Sequence, residues 1–193
     1  MTERPIIMTS ESVRAILDGR KTMTRRVIKF THPTDWIGSV NPDGKDGWIA
    51  WGPTQVPDDY SRKMYPNGGG FKCPYGVPGG RLWVRETWAS SGMALYWKAT
   101  DGADRVARWK SPIFMPRWAS RITLEVVNVR VERVQEITDS DAYAEGIDSS
   151  IDDILGGPHL KYKVLWDSIN AKRGYPWSSN PWVWVIEFRK VKP

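Results

Sequence analysis

The segment Gly19-Arg20-Lys21-Thr22-Met23-Thr24-Arg25-Arg26 is where residue types and spacing first suggest chemistry. A lysine and a threonine three positions apart share one face of a helical turn but lie on opposite faces of an extended strand. Lys21 and Thr24 therefore act as a pair only across the turn that Gly19 permits. Burial beside Arg20, Arg25 and Arg26 would disfavour the ammonium form of Lys21, leaving an amine able to act as a base toward the Thr24 hydroxyl. An ordinary reading stands beside this one. A Lys or Arg after a helix C-terminus meets the helix dipole and is solvated, and a threonine without a partner is a strand-surface residue. Cys73 lacks a histidine in a local frame that would make it a nucleophile, so it reads as an incidental or buried thiol. Gly68-Gly69-Gly70 is no phosphate loop, because Lys72 is followed by Cys73 and the Gly-Lys-Ser/Thr ending is absent.

The elements that must position these residues can be read along the chain. A short apolar strand over 4–8 leads to Thr9 or Ser10, either able to cap a helix carrying Val13, Ile16 and Leu17 on one face and stopping at Gly19. The polar segment is thus held between a helix exit and a strand entry. From 31 to 80 the chain is rich in Gly, Pro, Asp and Asn, with turn signals at 41–44 and 67–70, and reads as a long insertion of short hairpins. Trp36, Trp48, Trp51, Tyr60 and Tyr65 would pack it back onto the body. Strands are predicted over 81–88, 95–98 and 121–132. In the last, Ile122, Leu124 and Val126 alternate with polar residues, and Val127, Val129 and Val131 continue out of phase, which predicts a β-bulge at Val126-Val127. Bent strands of this kind close small barrels. Thr138 starts a short helix through Ala142, Ala144 and Glu145 that ends at Gly146. A second helix over 158–171 carries Leu160, Val164, Leu165 and Ile169, and a final strand alternates with Trp182, Trp184, Ile186 and Phe188 on one face.

Composition bounds the remaining choices. With 193 residues, 40% hydrophobic and 26% charged, the chain can form one domain that buries roughly 70% of its unfolded surface, which excludes disorder as a whole-chain answer. One cysteine and two histidines, His32 and His159, argue against a disulfide framework or a zinc site, and favour a reducing, cytoplasmic setting. Neither a secretory apolar region nor a run of about 20 apolar residues is present, so no membrane partner is expected. The net charge of +6 favours polyanionic partners. Twelve tryptophans exceed what a core of this size needs, so some should line clefts, although most are core or sheet-face residues.

The signature G-x-K-x-x-T-x-R, running from Gly19 to Arg26 after a short helix, resembles that of the ASCH domain, a PUA-like fold. Pro78-Gly79-Gly80-Arg81-Leu82-Trp83-Val84 resembles the family's glycine turn and barrel strand, with Gly80 where an acidic residue is usual; Val183 to Phe188 resembles its closing strand. The resemblance runs from Pro5 to Val191 in islands and is nearest to the tryptophan-rich ASCH proteins of phages and prophages. It implies a single α+β domain over 1–193, a small bent PUA-like β-barrel with flanking short helices, interrupted by the insertion at about 31–80. Small bacterial ASCH enzymes that deacetylate N4-acetylcytidine use a lysine, a threonine three residues later and a glutamate on the short helix after the long strand. The resemblance carries these roles to Lys21, Thr24 and Glu145. Thr24 would attack an amide carbonyl, and Glu145 would activate water or shuttle a proton. Arg26 would bind phosphate or a base oxygen, Glu86 would accept from a base amino group unless it pairs with Arg85 or Arg81, and Trp88 would offer a stacking face. A nucleoside or RNA partner, no metal, no cofactor and a monomer are the expectations. The alternatives are a non-catalytic RNA or modified-nucleotide binding module and an ASCH-type ribonuclease.

Overall fold

The N-terminal strand–helix–strand unit forms for local reasons. Strand β1 (Glu3–Ile7) runs into Thr9, whose hydroxyl accepts the Ser12 N–H at 3.2 Å and caps helix α1 (Ser10–Leu17). The helix buries Val13, Ala15 and Ile16, and Gly19 follows at φ +77°, a left-handed conformation that ends it and turns the chain toward β2 (Met23–Val27). The structure, a computed structural model, describes residues 3–29, 39–40, 48–50, 70–91, 93–101, 106, 108–148 and 156–191. Within the insertion, β3 (Ser39–Val40), β4 (Trp48–Ala50) and β5 (Gly70–Lys72) pair as a three-stranded antiparallel sheet. Trp36, Trp51, Tyr60 and Tyr65 lie outside the described residues.

Strand β6 (Arg81–Arg85) is followed by the hairpin β7 (Trp88–Ser91) and β8 (Ala94–Trp97). The longest ladder joins β9 (Thr123–Arg133) to β10 (Trp182–Val191), and between them come helices α2 (Asp139–Ala144) and α3 (Gly157–Asn170). In that ladder Asn128 pairs with Glu187 and Val126 with Phe188, so Val127 is the extra residue of a bulge. Val127 is 51% exposed where Val126 is 1% exposed, the change of phase expected from the alternation. No helix among the described residues is long and apolar enough to cross a membrane.

The main sheet has the order β1-β6-β9-β10-β2, with β1 parallel to β6 and the other pairs antiparallel. The fold is α+β with a mixed sheet. Among the described residues its ladder stays open, with β1 and β2 as edges, where a closed barrel was expected. Pro5 brings no N–H to β1 and suits an edge strand. The two edges meet through a side chain instead: Arg26 of β2 donates Nη2 to the Ile7 carbonyl and reaches Met8 Sδ at 3.3 Å. A seam bridged by a side chain leaves space that a backbone ladder would fill.

Each face of the sheet is covered. Trp184, Ile186 and Phe188 join Ile6, Leu82, Leu124 and α1 in one core, while Val183 and Val185 pack on Tyr162, Trp166, Ala142 and Trp177 in another. Alternation marked one buried face of β10; helices α2 and α3 bury the second. The contact face of α3 also differs from expectation. Leu160 and Val164 are 42% and 64% exposed, and the buried stripe is Pro158, Tyr162 and Trp166. An aromatic pair at i,i+4, with ring centroids 6.3 Å apart, buries more apolar area than the aliphatic pair two positions away.

Candidate functional site

A cavity of about 740 Å³ opens at the seam between β1 and β2, with α3 as its far wall. Ile7 and Met8 line it from one edge and Thr24, Arg25 and Arg26 from the other, with Lys21, Glu145 and Tyr162 also in its wall. Four of the residues marked by the sequence, Lys21, Thr24, Glu145 and Arg26, thus share one cavity.

Backbone contacts set Lys21 in place. Its N–H donates to Ala15 at the end of α1 (3.0 Å), the next N–H, of Thr22, donates to Ala144 at the end of α2 (2.8 Å), and the Thr22 carbonyl accepts from Phe188 of β10 (2.8 Å). Two helix ends, whose last carbonyls lack intrahelical donors, are therefore satisfied by the same two residues. Gly146 makes the junction tight. Its φ is +92°, and a Cβ there would lie 2.9 Å from Ala15 Cβ and 3.1 Å from Lys21 Cβ. Lys21 precedes β2, so the strand alternation that would separate it from Thr24 does not apply. Both residues are 4% exposed.

Lys21 Nζ donates to Glu145 Oε2 and to the Glu145 main-chain carbonyl, each at 2.6 Å. Burial pushes the Lys21 ammonium below its usual pKa of 10.5, against the opposing pull of the Glu145 carboxylate; the charges of Arg26 and Arg25 add to the lowering. The other carboxylate oxygen, Oε1, accepts from the Tyr162 hydroxyl at 3.4 Å and faces Arg25 Nη1 at 3.7 Å. Burial, helped by Glu145, raises the Tyr162 phenol well above 10.0, so it stays a donor.

Beneath the cavity a charge network holds β2 against β9 and α2. Arg25, with no exposed side-chain surface, reaches Glu132 at 3.0 Å and Asp141 at 2.6 Å. Arg130 reaches Asp141 at 3.3 Å and also pairs with Glu132 and Glu187. Although burial opposes its charge, the carboxylates of Glu145 and Asp141 raise the pKa of Arg25 further. Residue alternation puts Thr24 and Arg26 on one face of β2 and Arg25 on the other.

Glu86 and Trp88 do not line this cavity. Arg85, the last residue of β6, does, and the alternation that turns Arg85 inward sends Glu86 the other way. Glu86 is 1% exposed and held at both oxygens by Arg121, at 2.9 and 3.0 Å. Burial raises its pKa above 4.5 even so. The neighbouring alternative, pairing with Arg85 or Arg81, is replaced by this contact to Arg121. Trp88 packs on Met115 and Ala119, meets Trp118 edge to face at 6.0 Å, and has Lys110 Nζ 4.6 Å above its ring. Cys73 is 1% exposed with its thiol pushed up to about 11 by burial, the opposite of an activated nucleophile.

Tyr162, Trp166 and Arg173, all in or just after α3, line the cavity without having been marked in the sequence. The signal that could have found Tyr162 and Trp166 is the 158-162-166 spacing, which places the two aromatics on one helical face; no such signal marks Arg173. Among the described residues no group of three or more His, Cys, Asp or Glu could hold a metal ion. No family model, curated protein or solved structure matches the chain.

Proposed function

We propose that this chain is an ASCH-type, PUA-like domain, its sheet a barrel opened at the β1–β2 seam, and that it is an amidohydrolase acting on an acylated cytidine such as N4-acetylcytidine. The observation that carries this reading is the desolvated Lys21 Nζ at 2.6 Å from Glu145 in the wall of a cavity that Thr24 also lines. A cavity of about 740 Å³ is of the size that accommodates one small-molecule ligand.

The reaction follows from the pair. Transfer of the shared proton from Lys21 to Glu145 leaves a neutral amine and a carboxylic acid. Lys21 takes the Thr24 hydroxyl proton as Oγ1 attacks the acyl carbonyl carbon, and the oxyanion forms. Collapse breaks the C–N bond while Glu145 gives its proton to the departing exocyclic amine, leaving an acyl ester on Thr24. Glu145 then deprotonates water, which attacks the ester, and Lys21 returns its proton to Thr24 Oγ1. The acid is released, and return of the shared proton from Glu145 to Lys21 restores the ammonium and carboxylate with which the cycle began.

The test is release of cytidine from N4-acetylcytidine by the purified protein, with Lys21→Ala, Thr24→Ala and Glu145→Ala beside the wild type. Turnover lost in the Lys21 and Thr24 variants establishes the hydrolase; an inactive wild type sinks it. A second reading, a binding module without turnover, draws on the cationic lining of the same cavity, where Arg26, Lys29, Arg85 and Arg173 join Lys21 and Arg25. Binding of N4-acetylcytidine without product would favour it.

A further inference from the structure

We infer that the cavity takes a phosphate-bearing ligand, an acylated cytidine mononucleotide rather than the free nucleoside; this rests on the reading of the cavity as a pocket for a cytidine derivative. Six cationic side chains line it among the described residues, Lys21, Arg25, Arg26, Lys29, Arg85 and Arg173, against the single carboxylate of Glu145. Lys21 and Arg25 are held by carboxylates. Arg85 spends its Nε on the Met115 carbonyl and lies over the Trp83 ring at 5.1 Å. Three cations are left for a ligand. Lys29 and Arg173 are exposed and meet no carboxylate among the described residues, and Arg26, tethered at Nη2 by the Ile7 carbonyl, has a buried Nε with no hydrogen-bond partner there.

A nucleoside carries no formal charge and would leave this excess unmatched. A cavity lined by one sign of charge focuses its field on its contents, and a phosphate offers acceptors suited to a guanidinium and an ammonium. The positions are ordered along the chain. Arg26 shares a face of β2 with Thr24 two residues on, Lys29 follows that strand, and Arg173 follows α3. The acyl group at Thr24 and the phosphate at Arg26, Lys29 and Arg173 would thus occupy opposite ends of one nucleotide, with the base and ribose between them. The free cations line a cavity of about 740 Å³, a volume that matches one small-molecule ligand and favours a mononucleotide over a polymer.

Titration calorimetry with cytidine, cytidine 5′-monophosphate and a short single-stranded oligoribonucleotide tests this on the wild-type chain and on Lys29→Ala/Arg173→Ala. The monophosphate is expected to bind about tenfold or more tighter than cytidine at low salt. In the double variant that gap closes while cytidine binding and the melting temperature stay as they were. Equal affinities, no binding of the monophosphate, or a gap that survives the double substitution overturns the inference. An oligoribonucleotide that binds tighter than the monophosphate, with a steeper salt dependence, identifies RNA as the ligand and overturns the mononucleotide. The hydrolase reading is scored separately, by turnover of N4-acetylcytidine and its 5′-monophosphate. If neither is turned over while the monophosphate still shows the gap, the hydrolase fails and the phosphate site stands.

Discussion

Lys21 and Glu145 lie 124 positions apart in the chain and meet nitrogen to oxygen at 2.6 Å, with 3% and 4% of their side-chain surfaces exposed. Taking two charges out of water costs more than their attraction returns unless further polar groups complete the arrangement. Here the Glu145 carbonyl, the Tyr162 hydroxyl and Arg25 do so. The pair therefore ties the end of α2 to the turn before β2 and keeps a titratable amine dry at the cavity wall.

Removing one partner should cost far more than removing both. Glu145→Leu strands a buried ammonium, and Lys21→Met strands a carboxylate, so each is expected to lower stability by about 3 kcal/mol. Lys21→Met/Glu145→Leu should lose less than the sum of the two. Urea denaturation of the four proteins in the cycle measures the coupling, and strictly additive losses would contradict the buried pair.

The proposed reaction needs the one proton that Lys21 and Glu145 share, because Glu145 delivers it to the leaving amine, so kcat/KM should fall as the pH rises through the Lys21 pKa, which burial holds below 10.5. The positive charge of Arg26 contributes to that lowering. Arg26→Gln removes it, lets Lys21 keep its proton to higher pH, and should move the falling limb upward. A limb that stays in place or moves down would exclude Lys21 as the titrating base.

Two glycines with similar backbone angles should respond differently to a methyl group. Gly79, at φ +81° with nothing within 4 Å of an added Cβ, should lose about 1 kcal/mol as alanine and leave activity alone. Gly146→Ala adds a clash with Ala15 and Lys21 to the same backbone strain, so it should cost about 3 kcal/mol and lower kcat by displacing Lys21. Thermal melts with matched kinetics separate the two. Equal losses at both glycines would deny the close approach at Gly146.

Glu86 should behave as a structural residue. Glu86→Ala leaves a partly buried Arg121 without its carboxylate and should destabilise the chain by about 2 kcal/mol, while KM for any cytidine substrate stays unchanged. A KM raised severalfold in a folded variant would return Glu86 to the site.

Much of the fold was legible from local chemistry. The Thr9 and Thr138 caps, the glycine stop at Gly19 and the bulge at Val127 each rest on hydrogen bonds or side-chain phase within a few residues, and each stands where the pattern put it. Lys21 and Thr24 were marked for the same reason, since three-residue spacing is a local property. What the sequence alone determined is this set of elements and the polar turn between α1 and β2.

Which residues face one another was decided by tertiary structure. Glu145 reaches Lys21 because Thr22 pairs with Ala144 across more than a hundred residues, and Arg26 bridges two sheet edges whose openness no single strand reveals. Glu86 lies outside the cavity lining, which strand alternation could not show, because it says that Glu86 opposes Arg85 without saying which of the two faces the cavity. Tyr162 and Trp166 were passed over because the aliphatic stripe of α3 has the same period as the aromatic one. Period and capping depend on neighbours in the chain; the choice of face depends on the order of strands in the sheet, which long-range pairing alone sets.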